Sequence, residues 1–264
     1  MGYRTDLAVE RVGNAVHKEP VRGLNLSRSE EAGTHYVTIE APQITGTADG
    51  DASLRIVLTQ ELTALLPSEG EILVAGLGNP AVTPDALGPL CADHVLATRH
   101  VKGTVAREVG LGGLRGVAVL KPGVLGTTGV ETAEFLRAVT DALHPAAILA
   151  VDALAAGSLH RLGKTVQISD GGISPGAGVG NDRPRLDRGT LGTPVIGLGV
   201  PTVVDAATLC SNLCAQEVPG AARMMVTPRG IDALVSRAAH VLALAINCAL
   251  NPRLEPEVFE QLIS

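Results

Sequence analysis

EILVAGLGNPAVTPDALGP, residues 71–89, is the stretch from which the rest of the chain can be read. It opens with the apolar run Ile72–Leu77 and turns through Gly76-Leu77-Gly78-Asn79. It closes on Thr83-Pro84-Asp85, which has the order of a helix start: threonine as N-cap, proline first, a carboxylate second. Strand, glycine turn and helix start make the front half of a βα unit. In open α/β sheets the crevice at the carboxyl end of such a strand is where ligands bind.

Working outward, residues 51–66 place Leu54, Val57, Leu58, Leu62 and Leu65 at helical spacing, and His35–Glu40 alternates as an edge strand or hairpin arm. Downstream, the pattern predicts a helix from Pro84 to about Thr98, strands near Thr104–Glu108 and Gly116–Leu120, and a helix over Thr128–Leu143. Ala146–Val151 and Pro194–Val200 read as buried parallel strands and Val166–Ser169 as a short one. Helices follow over Asp205–Gln216 and Arg229–Leu250. Asp170–Thr193, rich in Gly and Pro, is long for a loop within one domain, and loops of that length are usually functional or disordered. Alternating strands and helices predict an α/β protein, a three-layer α/β/α sandwich with a mostly parallel central sheet. Residues 1–33 carry little pattern and read as a poorly structured leading segment; residues 34–264 read as a single domain.

Composition narrows the function. Apolar residues are 45% of the 264 and aromatics only 2%, with no Trp, so the core is built of Val, Leu, Ile and Ala. Few aromatics and a net charge of -6 argue against stacking on bases or tracking phosphates, hence no nucleic-acid partner. No apolar signal region opens the chain and no apolar run has bilayer length, so no membrane is expected. Cys91, Cys210, Cys214 and Cys248 form no CxxC pair and read as free thiols in a reducing cytoplasm. The Cys210/Cys214 spacing leaves a disulfide or metal pair as the lesser alternative.

Gly76 and Gly78 suggest a dinucleotide fingerprint, but Pro80 and Ala81 interrupt it. No P-loop and no GxSxG elbow is present, and no histidines pair at metal spacing, so neither cofactor nor metal is expected. What remains is carboxylates at strand ends. Asp85 is either a helix-start residue held by the dipole or, ionised by that same dipole, a base towards water. Asp152 follows the apolar run AAILAV, where burial raises a carboxyl pKa; it is either a loop-bonding residue or an acid. Two carboxyls with pKa values pushed apart make an acid–base pair able to hydrolyse a peptide bond. Asp205 reads first as a helix cap and Asp170 as a turn-shaper. The loop Ser174–Asn181, with Gly176, Gly178 and Asn181, and the turn residue Asn79 are candidates for holding a peptide; otherwise the loop is a flexible lid.

Several long segments, in order, resemble the germination protease of spore-forming bacteria. They include RTDLAVE (4–10), VAGLGNPAVTPDALGP (74–89), PGVLGTTGVET (122–132), AVDALAA (150–156), QISDGGISPGAGVGN (167–181), GVPTVVDA (199–206) and MVTPRGID (225–232). The resemblance implies an α/β/α fold of phosphorylase/hydrolase-like type, similar to hydrogenase maturation peptidases. It implies an endopeptidase that starts the degradation of small acid-soluble spore proteins in the spore core, with Asp85 and Asp152 as its two aspartates; with that activity, Asn79, the glycine loop and Asp205 are expected near the substrate. It also implies a zymogen that clips itself between Asp6 and Leu7, a site resembling its protein target, and homotetramers among relatives. The chain departs from the pattern in lacking several dozen residues before Met225, and in carrying Ser174 and Gly157 where relatives commonly have His and Arg. Two other readings use the same groove: a metal-binding maturation-type peptidase, and a non-catalytic peptide-binding protein.

Overall fold

The computed structural model describes residues 5–12, 17–41, 44, 48–101, 113–180, 183–214, 218, 220–221 and 224–263. Nine strands, β1 (His17–Val21), β2 (Leu24–Glu31), β3 (Thr34–Glu40), β4 (Ile72–Gly76), β5 (Val117–Leu120), β6 (Ala147–Ala156), β7 (Thr165–Ser169), β8 (Val195–Asp205) and β9 (Met225–Val226), form one mixed sheet. Its order is β1-β2-β3-β7-β8-β6-β4-β5, with β9 pairing to β8. Strands β8, β6, β4 and β5 run parallel, and the flank β1-β2-β3-β7 is antiparallel. The expected α/β class, with helices on both faces, is what the structure has.

The period-two alternation of strands divides the core in two. Ile72 and Val74 of β4 and Leu149 and Val151 of β6 face one apolar cluster; Leu73, Ala75, Ile148 and Ala150 face the other. Nine helices flank the sheet: α1 (Ala8–Arg11), α2 (Ala48–Leu65), α3 (Leu87–Asp93), α4 (Leu125–Thr128), α5 (Thr132–Leu143), α6 (Arg188–Leu191), α7 (Ala206–Cys214), α8 (Ile231–Leu250) and α9 (Pro256–Ile263), counted among the described residues. The first cluster takes Leu54, Leu58 and Leu62 of α2 and Val235, Leu242 and Ile246 of α8; the second takes Leu136 of α5, Leu191 of α6 and Val9 of α1. Contrary to the sequence reading, α8 is long and apolar enough to cross a bilayer, with a mean hydropathy of 1.6 over its most apolar window, of which 78% is buried within the fold.

Several expectations are corrected. Residues 17–31, read as patternless, form β1 and β2, because β2 turns Ser27 and Ser29 inward and so hides its alternation. His35–Glu40 is a hairpin arm rather than an edge, lying between β2 and β7. The helix expected from Pro84 is a 3-10 turn over Thr83–Asp85 followed by the short α3. The side chain of Asn247 stops α3 by accepting from Leu96 N at 2.9 Å and donating to His94 O at 2.9 Å. The helix expected over Thr128–Leu143 is broken by Gly129 at φ 71°, which ends α4. The strand expected near Thr104–Glu108 lies outside the described residues.

The join of α3 to β4 is made backbone to backbone. A Cβ on Gly76 would lie 2.2 Å from Gly88 O, and one on Gly88 would lie 2.2 Å from Leu77 O. Gly88→Ala is therefore expected to destabilise the fold by about 2 kcal/mol or more, the scale of core overpacking. Gly126→Ala, which meets nothing within 4 Å, should stay within about 0.5 kcal/mol of wild type. Thermal unfolding of the two variants measures the difference, and equal stabilities would refute the close-approach account.

Candidate active site

Asp85 is positioned by the turn after β4. Leu77 N donates to Val151 O at 2.8 Å, carrying the β4–β6 ladder one residue past the strand. Gly78 then adopts φ 113°, where a Cβ would fall 2.0 Å from Asp85 O, so only glycine fits. The Asp85 carboxylate reaches back to accept from Asn79 N at 2.8 Å, and Asn79 Oδ1 accepts from Ala81 N at 3.0 Å. Thr202 Oγ1 donates to Pro84 O at 2.7 Å and ties the turn to β8. Asp85 thus lies in the first turn of the 3-10 helix, as the helix-start reading expects, while its carboxylate closes the preceding turn at Asn79. Burial raises its pKa, opposed by the Asn79 N–H.

Asp152 stands inside β6 and not after it, because β6 stays paired to β8 through Ala156. β4 ends with Gly76 opposite Val151, so Asp152 is the first β6 residue past that edge. Its side chain is 4% exposed and Oδ1 accepts from Ala153 N at 2.9 Å. Burial pushes its pKa well above the carboxylate range, and the charges of Asp85 and Asp6 push it further. Asp6, Asp85 and Asp152 line one groove of about 550 Å³, walled by Val82, Val124 and Arg183. Asp6 and Asp85 each make it harder for Asp152 to ionise, on top of the cost of its burial.

The third carboxyl arrives on the chain's own leading segment, which lies along β6. Asp6 N donates to Ala155 O at 3.0 Å, and the Asp6 carboxylate accepts from Ala155 N at 2.8 Å and from Gly178 N. A Cβ on Gly178 would sit 2.3 Å from Asp6 Oδ2, so the glycine makes room for the acid. Leu7 is fully buried in the second apolar cluster. The Gln167 side chain donates to Asp6 O at 3.0 Å and accepts from Ala8 N at 2.7 Å. Glu10 accepts from Gly157 N at 2.7 Å and from the Thr5 hydroxyl, and lies 3.7 Å from Arg161, which is itself paired with Glu40 at 2.9 Å. On the other side of Asp6 a second cleft of about 760 Å³ is lined by Arg11, Gln167, Ser174 and Arg185.

Of the residues singled out in the sequence, Asp85, Asp152, Asn79, Gly176 and Asp6 meet at the groove. Gly178 touches Asp6, and Leu7 packs beneath. Asp205 does not line the groove: its Oδ1 accepts from Ala207 N and Thr208 N at 2.9 and 3.1 Å, the N-cap of α7. Asn181 lies outside the described residues. Asp170 bonds His35, through its ring at 2.7 Å and its backbone N–H at 2.8 Å, and that partner holds the His35 pKa up. Gln167 and Arg161, which hold the leading segment, and Thr202, which ties the Asp85 turn, were not singled out in the sequence; the one signal for Gln167 was a lone amide in the apolar strand TVQIS. Among the described residues no group of three His, Cys, Asp or Glu is arranged to hold a metal ion.

The family described as germination protease matches residues 15–218 of the chain. A germination protease of Caldanaerobacter subterraneus subsp. tengcongensis is 36% identical over 323 aligned positions, which take in 100% of this chain and 98% of that protein. Another, of Clostridium tetani, is 38% identical over 260 positions, 84% of this chain and 80% of its own length. Among solved structures, a NiFe hydrogenase maturation protease of Thermococcus kodakarensis aligns with 72% of this chain and 98% of its own at 20% identity and a TM-score of 0.43. The sequence relation to the curated proteins runs far beyond the groove, and the chain belongs to the germination protease family.

Proposed function

We propose that the chain is a germination endopeptidase that cuts small acid-soluble spore proteins in the spore core, with Asp85 and Asp152 dividing the acid–base work. The observation that carries this reading is the coupling of two differently buried carboxyls in one groove that also takes a peptide segment. Asp85, half-buried, is the base; Asp152, more deeply buried and flanked by two acids, holds the proton. Water adds to the scissile carbonyl carbon as its proton passes to Asp85 and the carbonyl electrons move to oxygen. The C–N bond then breaks as those electrons return and Asp152 protonates the leaving amine, so each carboxyl ends in the other's starting state.

The leading segment is read as a pseudo-substrate, with Asp6–Leu7 as the bond clipped in maturation. Its support is the fit of Asp6 between Ala155 N and Gly178 N, and of Leu7 into the apolar cluster beside them.

Asp85→Ala and Asp152→Ala should each slow cleavage of purified acid-soluble spore proteins by about 10³-fold, within the range of a lost acid or base. Cleavage by both variants at the wild-type rate removes the assignment. Binding without cleavage by wild type would favour a peptide-binding protein, and stoichiometric bound metal needed for activity would favour a maturation-type peptidase.

Asp6→Ala should abolish N-terminal trimming, followed by the intact mass of the purified chain; trimming at an unchanged rate would contradict the pseudo-substrate reading.

A raised folded-state pKa makes Asp152 a burden once it must ionise. Its stabilising share is present at low pH and is lost as pH climbs from about 4 through its raised value. Asp152→Asn, inactive, should therefore melt above wild type at neutral pH and converge with it in acid. A wild-type advantage that grows with pH would reverse the sign.

A further inference from the structure

Gln167 of β7 and Asp152 of β6 are both register partners of Gly199 on β8, the strand between them. Residues in one row across a sheet point to one face, and two strand spacings put their Cα atoms about 10 Å apart. The middle position carries no side chain. Over this row lies the backbone of Asp6, Leu7 and Ala8, and the Gln167 amide meets it twice, Nε2 donating to Asp6 O at 3.0 Å and Oε1 accepting from Ala8 N at 2.7 Å. A carbonyl can only accept and a backbone N–H can only donate, so these partners fix which end of the amide faces which. The side chain is 8% exposed in a strand otherwise apolar apart from Thr165 and Ser169 at its ends. A buried polar group of this kind is costly unless paired, and the pairing recorded for it is to the peptide segment.

Asp6 O is the carbonyl of the Asp6–Leu7 peptide. We infer that Gln167 holds the carbonyl of the bond being cut: its Nε2–H is the donor to the oxygen that gains charge when water adds, and its Oε1 fixes the N–H two residues towards the leaving side. The inference rests on the proteolytic reading. Gln167 gives up and takes no proton. As the oxygen of water bonds to carbon, the carbonyl electron pair moves onto the oxygen facing Nε2, and it returns when the C–N bond breaks. A fixed amide dipole aimed at that oxygen stabilises the charge without reorganising. A substrate supplied in trans would take the same two bonds once the leading segment through Ala8 has been displaced from the groove.

The test is steady-state cleavage of the nonapeptide RTDLAVERV by the full chain, with mass analysis of the chain's own N-terminus. Gln167→Glu keeps size and acceptor and loses the donor once its carboxyl is ionised. Where it is ionised kcat should fall about 100-fold or more, the effect of losing one such donor, and should recover as pH falls and the carboxyl regains an O–H. Gln167→Met keeps volume and removes both bonds; kcat should fall as far and KM rise up to about tenfold, the worth of one lost hydrogen bond. A side chain that merely anchors the segment would move KM and leave kcat alone. Wild-type kcat in the Met variant or in the ionised Glu variant, or a loss carried wholly by KM, overturns the inference. Should the Met variant fail to fold, as thermal unfolding would reveal, the Glu variant decides alone. Slow Gln167 variants beside fully active Asp85→Asn and Asp152→Asn would leave this assignment standing and remove the aspartate pair. Active Gln167 variants beside dead aspartate variants would do the reverse, and no cleavage by wild type would remove both.

Discussion

β6 and β8 remain paired for nine register positions, from Ile148–Val195 to Ala156–Val204, while β4 lets go at Gly76. The meeting of Asp85 with Asp152 follows from that mismatch in length. Where β4 stops, its continuation folds over as the turn that carries Asp85, and the side of β6 it no longer covers exposes Asp152 to that turn. The ladder beyond supplies Ala155, whose N–H and C=O both bond Asp6, and Thr202, which pins the turn from the neighbouring strand. A carboxyl inside a paired strand is costly in an ordinary core, because its backbone is committed to the ladder and cannot move to hydrate it. Here the pairing of β6 to β8 fixes where the buried acid stands.

The electrostatics of the groove oppose folding at neutral pH. Burial raises Asp6, Asp85 and Asp152 alike, and each neighbouring charge raises Asp152 again. For Asp6 the counterweights are two backbone N–H groups and the Arg11 guanidinium; for Asp85, one N–H. Such a site is poorer in stability than an apolar replacement would be, the trade expected of the active site proposed here.

Much of this was legible in the residues. β4, α2 and α8 announced themselves through apolar runs or helical spacing, and the Gly76–Asn79 turn through its glycines. The antiparallel flank did not, since Ser27, Ser29 and Thr38 face inward and break the alternation that marks a half-buried strand. Asp152 looked like a post-strand residue because AAILAV ends where the charge begins; only the partner strand β8 reveals that pairing continues through it. Asp85 and Asp152 each had a structural explanation as good as the chemical one, and it was the germination protease resemblance that ranked them together. Gln167 could not be ranked at all, because its significance lies in a segment about 160 positions away, joined to it only by the fold.

Under the pseudo-substrate reading, the seat of Asp6 bears on the direction of the proposed clip. Hydrolysis after Asp6 would leave a fresh α-carboxylate on the departing piece, beside a side-chain acid already crowded by Asp152. A fragment bearing two negative charges would be repelled from the niche that the intact chain tolerates. Religation would then be opposed by the same field that raises Asp152, so that a clip made there would act as a ratchet.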